Sequence, residues 1–159
     1  MTQRFVVEKG SSKKSGRVAE HTVTAVHLPI GGLVSGFNTK MGDFMTLKHV
    51  QPGDWNSRAV IHNGFISMSG IVADDRSAGM REQTAEVLSK IDAILSDAGA
   101  DKTTIINAVV YVSDMNRKDE MNEAWMAWMG THKPPARACV GVTLTPGTLV
   151  EIMCQAVQK

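Results

Sequence analysis

Little in this chain would cross-link it, hold a metal or carry it through a membrane. It has two cysteines, Cys139 and Cys154, both late in the sequence and without metal-ligand spacing. They read as reduced thiols of a cytoplasmic protein, not as a disulfide framework or a zinc site. No apolar run approaches the roughly 18 residues a membrane-spanning helix needs, and the N-terminus lacks the apolar stretch of a secretory signal. Neither sign of charge dominates: 17 basic side chains face 16 acidic ones, for a net of +1. A dedicated nucleic-acid binder usually shows a basic excess, so that class is disfavoured. The familiar catalytic motifs are missing too, with no GxSxG, no Walker loop and no GxGxxG ahead of a helix. His21, His27, His49, His62 and His132 are scattered and support neither a metal cluster nor a triad.

What is present is a core-forming composition, 43% hydrophobic and 21% charged over 159 residues, enough for one ordinary domain. Its charge is uneven. Residues 1–44 carry six basic and three acidic side chains, whereas residues 45–159 carry 11 basic and 13 acidic. The first segment also contains Gly10-Ser11-Ser12-Lys13-Lys14-Ser15-Gly16, a run with no apolar side chain to offset its ordering entropy. Residues 1–44 are therefore expected to form a flexible or loosely docked extension, and residues 45–159 the folded domain.

From Met45 onward the pattern is regular. Thr46–Val50 is a strand candidate stopped by Pro52-Gly53, and Arg58–Ile61 and Phe65–Ile71 flank an Asn63-Gly64 hairpin turn. A helix is expected from Asp74–Ser77 to Asp97, with Thr84, Val87, Leu88, Ile91, Ile94, Leu95 and Ala98 on one buried stripe. Thr103–Val112 is β-branched and reads as a strand. Asp114 or Asn116 can cap a second helix with Met121, Trp125, Trp128 and Met129 on its apolar face, ended by Gly130. Trp125 and Trp128 read as core or interface residues. Arg137–Leu144 and Leu149–Val157 read as two strands joined through Thr145-Pro146-Gly147. The order β-β-β-α-β-α-β-β predicts an α+β fold, with helices on one face of a mostly antiparallel sheet.

If the last two strands form a hairpin, a three-residue connection places Arg137 and Glu151 on one face, and a two-residue connection places them on opposite faces. Even on one face they would lie roughly 13–20 Å apart along the strand at about 3.3 Å per residue. They can cooperate only across two subunits, or else serve separate purposes. Taken alone, Arg137 reads as a surface or interface salt bridge, and Glu151 as an edge charge against sheet-to-sheet pairing.

Pro135-Ala136-Arg137-Ala138-Cys139-Val140 followed by Leu149-Val150-Glu151-Ile152 resembles the C-terminal signature of the reactive intermediate deaminase (RidA/YjgF) family, long labelled "endoribonuclease L-PSP". Further stretches fall in the family's order: Ser69-Gly70, Gln83-Thr84, Ala98-Gly99-Ala100, Val110-Tyr111-Val112-Ser113-Asp114-Met115 and Met121-Asn122-Glu123. The resemblance runs from about Met45 to Val157. It implies a chorismate mutase-like fold, a homotrimer with clefts between subunits, and hydrolysis of enamines or imines such as 2-aminoacrylate to 2-keto acids and ammonia, with no metal and no organic cofactor. Arg137 then grips a substrate carboxylate, and Glu151 positions or activates water. Asn122, Cys139, Ser69 and Gly70 fall on positions that line the family's cleft.

The chain also departs from the family. Asp54-Trp55-Asn56-Ser57 replaces the usual Gly-Pro-Tyr-Ser-like stretch, so the cleft tyrosine is missing and Trp55 or Asn56 stands in its neighbourhood. Such changes resemble a divergent subgroup. Met45-Thr46-Leu47 looks like a typical family start, which makes an alternative start there an expectation that N-terminal sequencing of the native protein checks. Two other functions compete with deamination: a non-catalytic binder of small carboxylates or keto acids, and, more weakly, RNA cleavage, which the net charge of residues 45–159 disfavours.

Overall fold

The computed structural model describes residues 46–159, together with the backbone of two short strands, β1 (Thr2–Gln3) and β2 (Ala25–His27), which pair antiparallel. The expectation of a flexible extension over residues 1–44 lies outside the described residues. By its contacts the chain divides into residues 1–39 and 40–159, and the second unit carries everything that follows.

That unit is one sheet and two helices. Strands β3 (Lys48–Pro52), β4 (Ser57–His62), β5 (Phe65–Met68), β6 (Ile71–Val72), β7 (Ile105–Val112), β8 (Ala136–Gly141) and β9 (Val150–Val157) form it in the order β3-β4-β5-β9-β7-β8. Strand β6 lies beside β9 as a continuation of β5. Every pairing is antiparallel except β7 with β8. The Asn-Gly signal is realised: His62 pairs with Phe65, and Asn63 and Gly64 take φ of 51° and 76°, the left-handed pair a tight right-twisted hairpin requires.

Alternate residues of the central strands are buried, as in Val150, Ile152, Cys154 and Ala156 of β9 and Ala108, Val110 and Val112 of β7. They pack against the apolar stripes of α1 (Met80–Asp97) and α2 (Lys118–Met129). Each fully buried Ile or Leu, such as Leu88, Ile91 and Leu95, contributes roughly 1.5–3 kcal/mol. Among the described residues, both helices pack on this face and none on the other side of the sheet.

Helix α1 begins later than Asp74. The Asp75 carboxylate accepts from the Ser77 amide at 2.9 Å and its hydroxyl at 2.6 Å, a local turn that competes with helical hydrogen bonding. Asp114 accepts from the Asn116 amide at 2.9 Å but caps only the 3-10 turn Met115–Arg117, and α2 follows from Lys118.

The expected final hairpin is corrected. Strands β8 and β9 are not neighbours, because β7 lies between them. Helix α2 is a crossover that returns the chain parallel to β7 and sets β8 at the sheet edge, and β9 then pairs antiparallel with the other side of β7. The chain from Val142 to Leu149 passes over the end of β7, with the Val142 amide donating to the Val112 carbonyl and the Ser113 amide to the Leu149 carbonyl, each at 3.0 Å. The Thr145-Pro146-Gly147 turn exists inside this passage, closed by the Thr148 amide on the Thr145 carbonyl at 2.9 Å.

One buried side chain fastens that passage. Gln83 of α1 donates to the carbonyls of Ala78 (3.1 Å) and Gly147 (2.9 Å) and accepts from the Leu149 amide (2.9 Å). Gln83→Ala leaves buried backbone groups unpaired and opens a void, so urea unfolding is expected to show a loss of about 2–4 kcal/mol.

Candidate active site

Arg137 stands near the start of edge strand β8, level with Ala108 of β7 and therefore on the helix-covered face. Its side chain leaves the sheet along α2. One terminal nitrogen donates to Asn122 Oδ1 at 2.7 Å, and the other lies 3.8 Å from Met121 Sδ. The guanidinium carbon sits 4.9 Å from the centre of the Trp125 ring. Hydrogen bond, thioether and cation–π contact hold the planar fork in one orientation, and such contacts are individually modest but act together. Asp119, Asn122, Glu123 and Met126 recur at one-turn spacing on α2, and with Arg137 they line a shallow pocket of about 460 Å³.

Cys139 is two residues further along β8, level with Val110, on the same face as Arg137 and half-buried against the core. Both cysteines are free. Cys154 lies inside the core, where burial pushes its thiol up to about 12. A thiol reagent is therefore expected to modify Cys154 only after denaturation, which thiol titration with and without denaturant checks; rapid native labelling at Cys154 would contradict its placement.

Glu151 faces the other way. It is level with Tyr111 of β7 and Val72 of β6, on the face the helices leave open. The expectation that a three-residue connection puts Arg137 and Glu151 on one face is therefore corrected. Their Cα atoms are roughly 14 Å apart, from two strand spacings across and three residues along. Within one chain, the two do not meet.

Glu151 has its own surroundings. Between β5 and β6 the register against β9 shifts by one, from Ser67 beside Gln155 to Ile71 beside Ile152. Ser69 and Gly70 form this bulge, a device that re-aims neighbouring side chains. The Glu151 side chain lies over Gly70: a Cβ added there would stand 2.7 Å from the carboxyl carbon and 3.1 Å from Cγ. The Ser69 amide and hydroxyl donate to the Arg58 carbonyl at 2.9 and 3.3 Å. Beyond Val72 the chain is fixed by Lys90, which donates to the Val72 carbonyl at 3.0 Å and pairs with Asp74 and Glu86 at 2.8 Å. The Asp74 amide, then Lys90, holds the Glu86 carboxyl down at about 2.

Trp55 and Asn56 lie in the β3–β4 turn, at the same end of the sheet as the Ser69-Gly70 bulge. Asn56 closes the turn by accepting from the Gly53 amide at 2.8 Å, while Trp55 is 88% exposed.

The structure thus sorts the expected residues into two groups on opposite faces. Arg137, Asn122 and Cys139 form one, with Glu151, Ser69 and Gly70 forming the other beside the Trp55-Asn56 turn. Trp125 and Met121, taken from sequence as core, also hold the arginine. Tyr111, the chain's one tyrosine, stands across from Glu151 with its hydroxyl 3.6 Å from Met153 Sδ. Only strand register reveals that neighbour. A second groove, about 320 Å³ between the helices beside Arg81, Asp92 and Trp128, contains none of these residues. Among the described residues, no group of three or more His, Cys, Asp or Glu is placed to hold a metal ion, and no helix is long and apolar enough to cross a membrane.

Known proteins share this fold of one sheet and two helices. The family model for endoribonuclease L-PSP matches residues 47–158, and the chain belongs to that family, the YjgF/RutC or Rid group. It is similar to a RutC family protein of Haemophilus ducreyi, 38% identical over 101 residues that cover 63% of this chain and 86% of the relative. It is also similar to the RutC family protein YoaB of Escherichia coli, 36% identical over 109 residues that cover 68% of this chain and 95% of the relative. A solved YjgF family member from Neisseria meningitidis superposes with a TM-score of 0.68 at 39% identity, covering 73% of this chain and 98% of its own.

Proposed function

We propose that this chain hydrolyses small carboxylate-bearing imines and enamines of the 2-aminoacrylate type to 2-keto acids and ammonia, at sites formed between copies of the chain in a trimer. The observation that carries the reading is the division of the site. Arg137 is held with its fork oriented at an edge, and Glu151 lies over a glycine bulge on the uncovered face. Each group has one half of the required chemistry, and a second copy supplies the other.

The open face favours such an assembly. It exposes Phe65 (40%), Val140 (41%) and Val157 (40%) beside Val60, Val109 and Met153. An apolar sheet face of this kind is suited to burial against another copy, and closed rings are a common way to bury it. Trp55 then extends from the β3–β4 turn toward the shared cleft, in a subgroup where the usual tyrosine is replaced.

The chemistry asks for positioning and proton movement. An enamine first takes a proton at carbon and gives one up from nitrogen to become the imine. Arg137 of one copy binds the carboxylate through its fork. Glu151 of the next orients a water molecule toward the C=N carbon and accepts its proton as the C–O bond forms. Glu151 returns that proton to the nitrogen of the resulting carbinolamine, then takes the hydroxyl proton as the C–N bond breaks, so ammonia leaves and the carbonyl forms. The test is a deamination screen over imines produced from different amino acids by an amino acid oxidase. Faster release of ammonia than in the oxidase-only control supports the reading. Binding of 2-ketobutyrate with no acceleration would favour the non-catalytic carboxylate binder instead.

A further inference from the structure

The uncovered face of the sheet is almost free of charge. From β4 to β9 it presents uncharged side chains such as Val60, Val72, Val109, Tyr111 and Met153, with His62 at one end. Two side chains of fixed charge interrupt it, Arg58 on β4 and Glu151 on β9. Ala59 is buried and pairs with Met68, so Arg58 lies on the open face, level with Ser69. Glu151 stands on the other side of the same Ser69-Gly70 bulge. Two strand spacings across and two to three residues along put their Cα atoms roughly 12–14 Å apart. Among the described residues, neither takes part in an ion pair. Arg58 is exposed, and its backbone is fixed by the two bonds from Ser69 at 2.9 and 3.3 Å.

We propose that Arg58 is a specificity-determining residue that takes a second anionic group on the substrate, so that the chain selects imines whose side chain ends in a carboxylate. This rests on the deaminase reading above. With the imine carbon facing the water held by Glu151, and the α-carboxylate on Arg137 of the adjoining copy, the substrate's side chain is directed over the bulge toward β4. A carboxylate two or three bonds further on falls within reach of the Arg58 fork. Without Arg58, that second carboxylate would lie near Glu151 with no countercharge, an unfavourable placement in a cleft that excludes water. With it, the acidic side chain gains a charge-assisted contact of the kind arginine makes best.

The test compares kcat/KM for imines made in situ from glutamate or aspartate with that for the imine from leucine. It uses the full chain as wild type, Arg58→Gln and Arg58→Lys, with particle size followed by light scattering. Wild type is expected to favour the acidic imines. Arg58→Gln should lower the acidic-to-neutral ratio by about tenfold or more, mainly through KM, and Arg58→Lys should retain part of it. An unchanged ratio, or an equal loss on both substrate classes with or without dissociation of the assembly, overturns the proposal and makes Arg58 a structural or interface residue. If wild type hydrolyses no imine, the deaminase reading fails by itself. Calorimetry with 2-oxoglutarate against pyruvate then decides the role of Arg58: a tenfold weaker grip on the dicarboxylate in Arg58→Gln supports it, and equal binding by the two proteins overturns it.

Discussion

Arg137→Ala is expected to lower kcat/KM for imine hydrolysis on the order of 10²–10⁴-fold, with particle size and fold unchanged. The magnitude follows from losing a two-point charge-assisted contact at roughly 1.5–3 kcal/mol per hydrogen bond. The fold should survive because Arg137 is exposed and its contacts with Asn122, Met121 and Trp125 lie at the rim of α2. Arg137→Lys should recover little, since a lysine ammonium keeps the charge but cannot reproduce the planar fork. Steady-state kinetics paired with light scattering checks this. Wild-type turnover by the alanine variant would remove Arg137 from the chemistry.

Glu151→Gln is expected to act on kcat. It preserves the side chain's size but removes the group proposed to accept the proton from water, a contribution typically of about 10²–10⁴-fold. KM should change far less, because in the proposed mechanism the carboxylate grip belongs to Arg137. Gly70→Ala tests the same placement without touching the acid. The added Cβ would stand 2.7 Å from the Glu151 carboxyl carbon, so the side chain has to move away from its bulge. A loss of about tenfold or more in kcat is expected, since displacement of a reacting group by an ångström is costly. A Gly70→Ala enzyme with normal kcat would show that the carboxylate's position over the bulge is unimportant.

Much of the fold was legible because the sequence signals were local. The Asn63-Gly64 turn, the α1 stripe from Thr84 to Leu95 and the stop at Gly130 each depend on neighbours within a few residues, where periodicity and turn chemistry are strong. Pairing across the sheet depends on distant partners. Two strand candidates joined through Thr145-Pro146-Gly147 suggest a hairpin, and only the α2 crossover explains why β8 goes to the edge beside β7 while β9 takes the centre. The same gap affected the site. Arg137, Glu151 and the Ser69-Gly70 pair stood out through family resemblance, but their division between two faces did not. Nor did the support from Trp125, whose helical spacing is that of an ordinary core residue, or the position of Arg58 on a face that it shares with one other charge, Glu151. These are properties of register, which a single sequence leaves open once a bulge shifts one strand by a residue.

The central claim is that each site takes its guanidinium from one copy and its carboxylate from the next. Mixing the two inactive variants, Arg137→Ala and Glu151→Gln, under conditions that let subunits exchange tests it most directly. In a random equal mixture of three-membered rings, each mixed ring has one site with both native groups, so activity should return to about a quarter of wild type. If the mixture stays as inactive as its parents while mass spectrometry shows that mixed rings have formed, the shared site is contradicted.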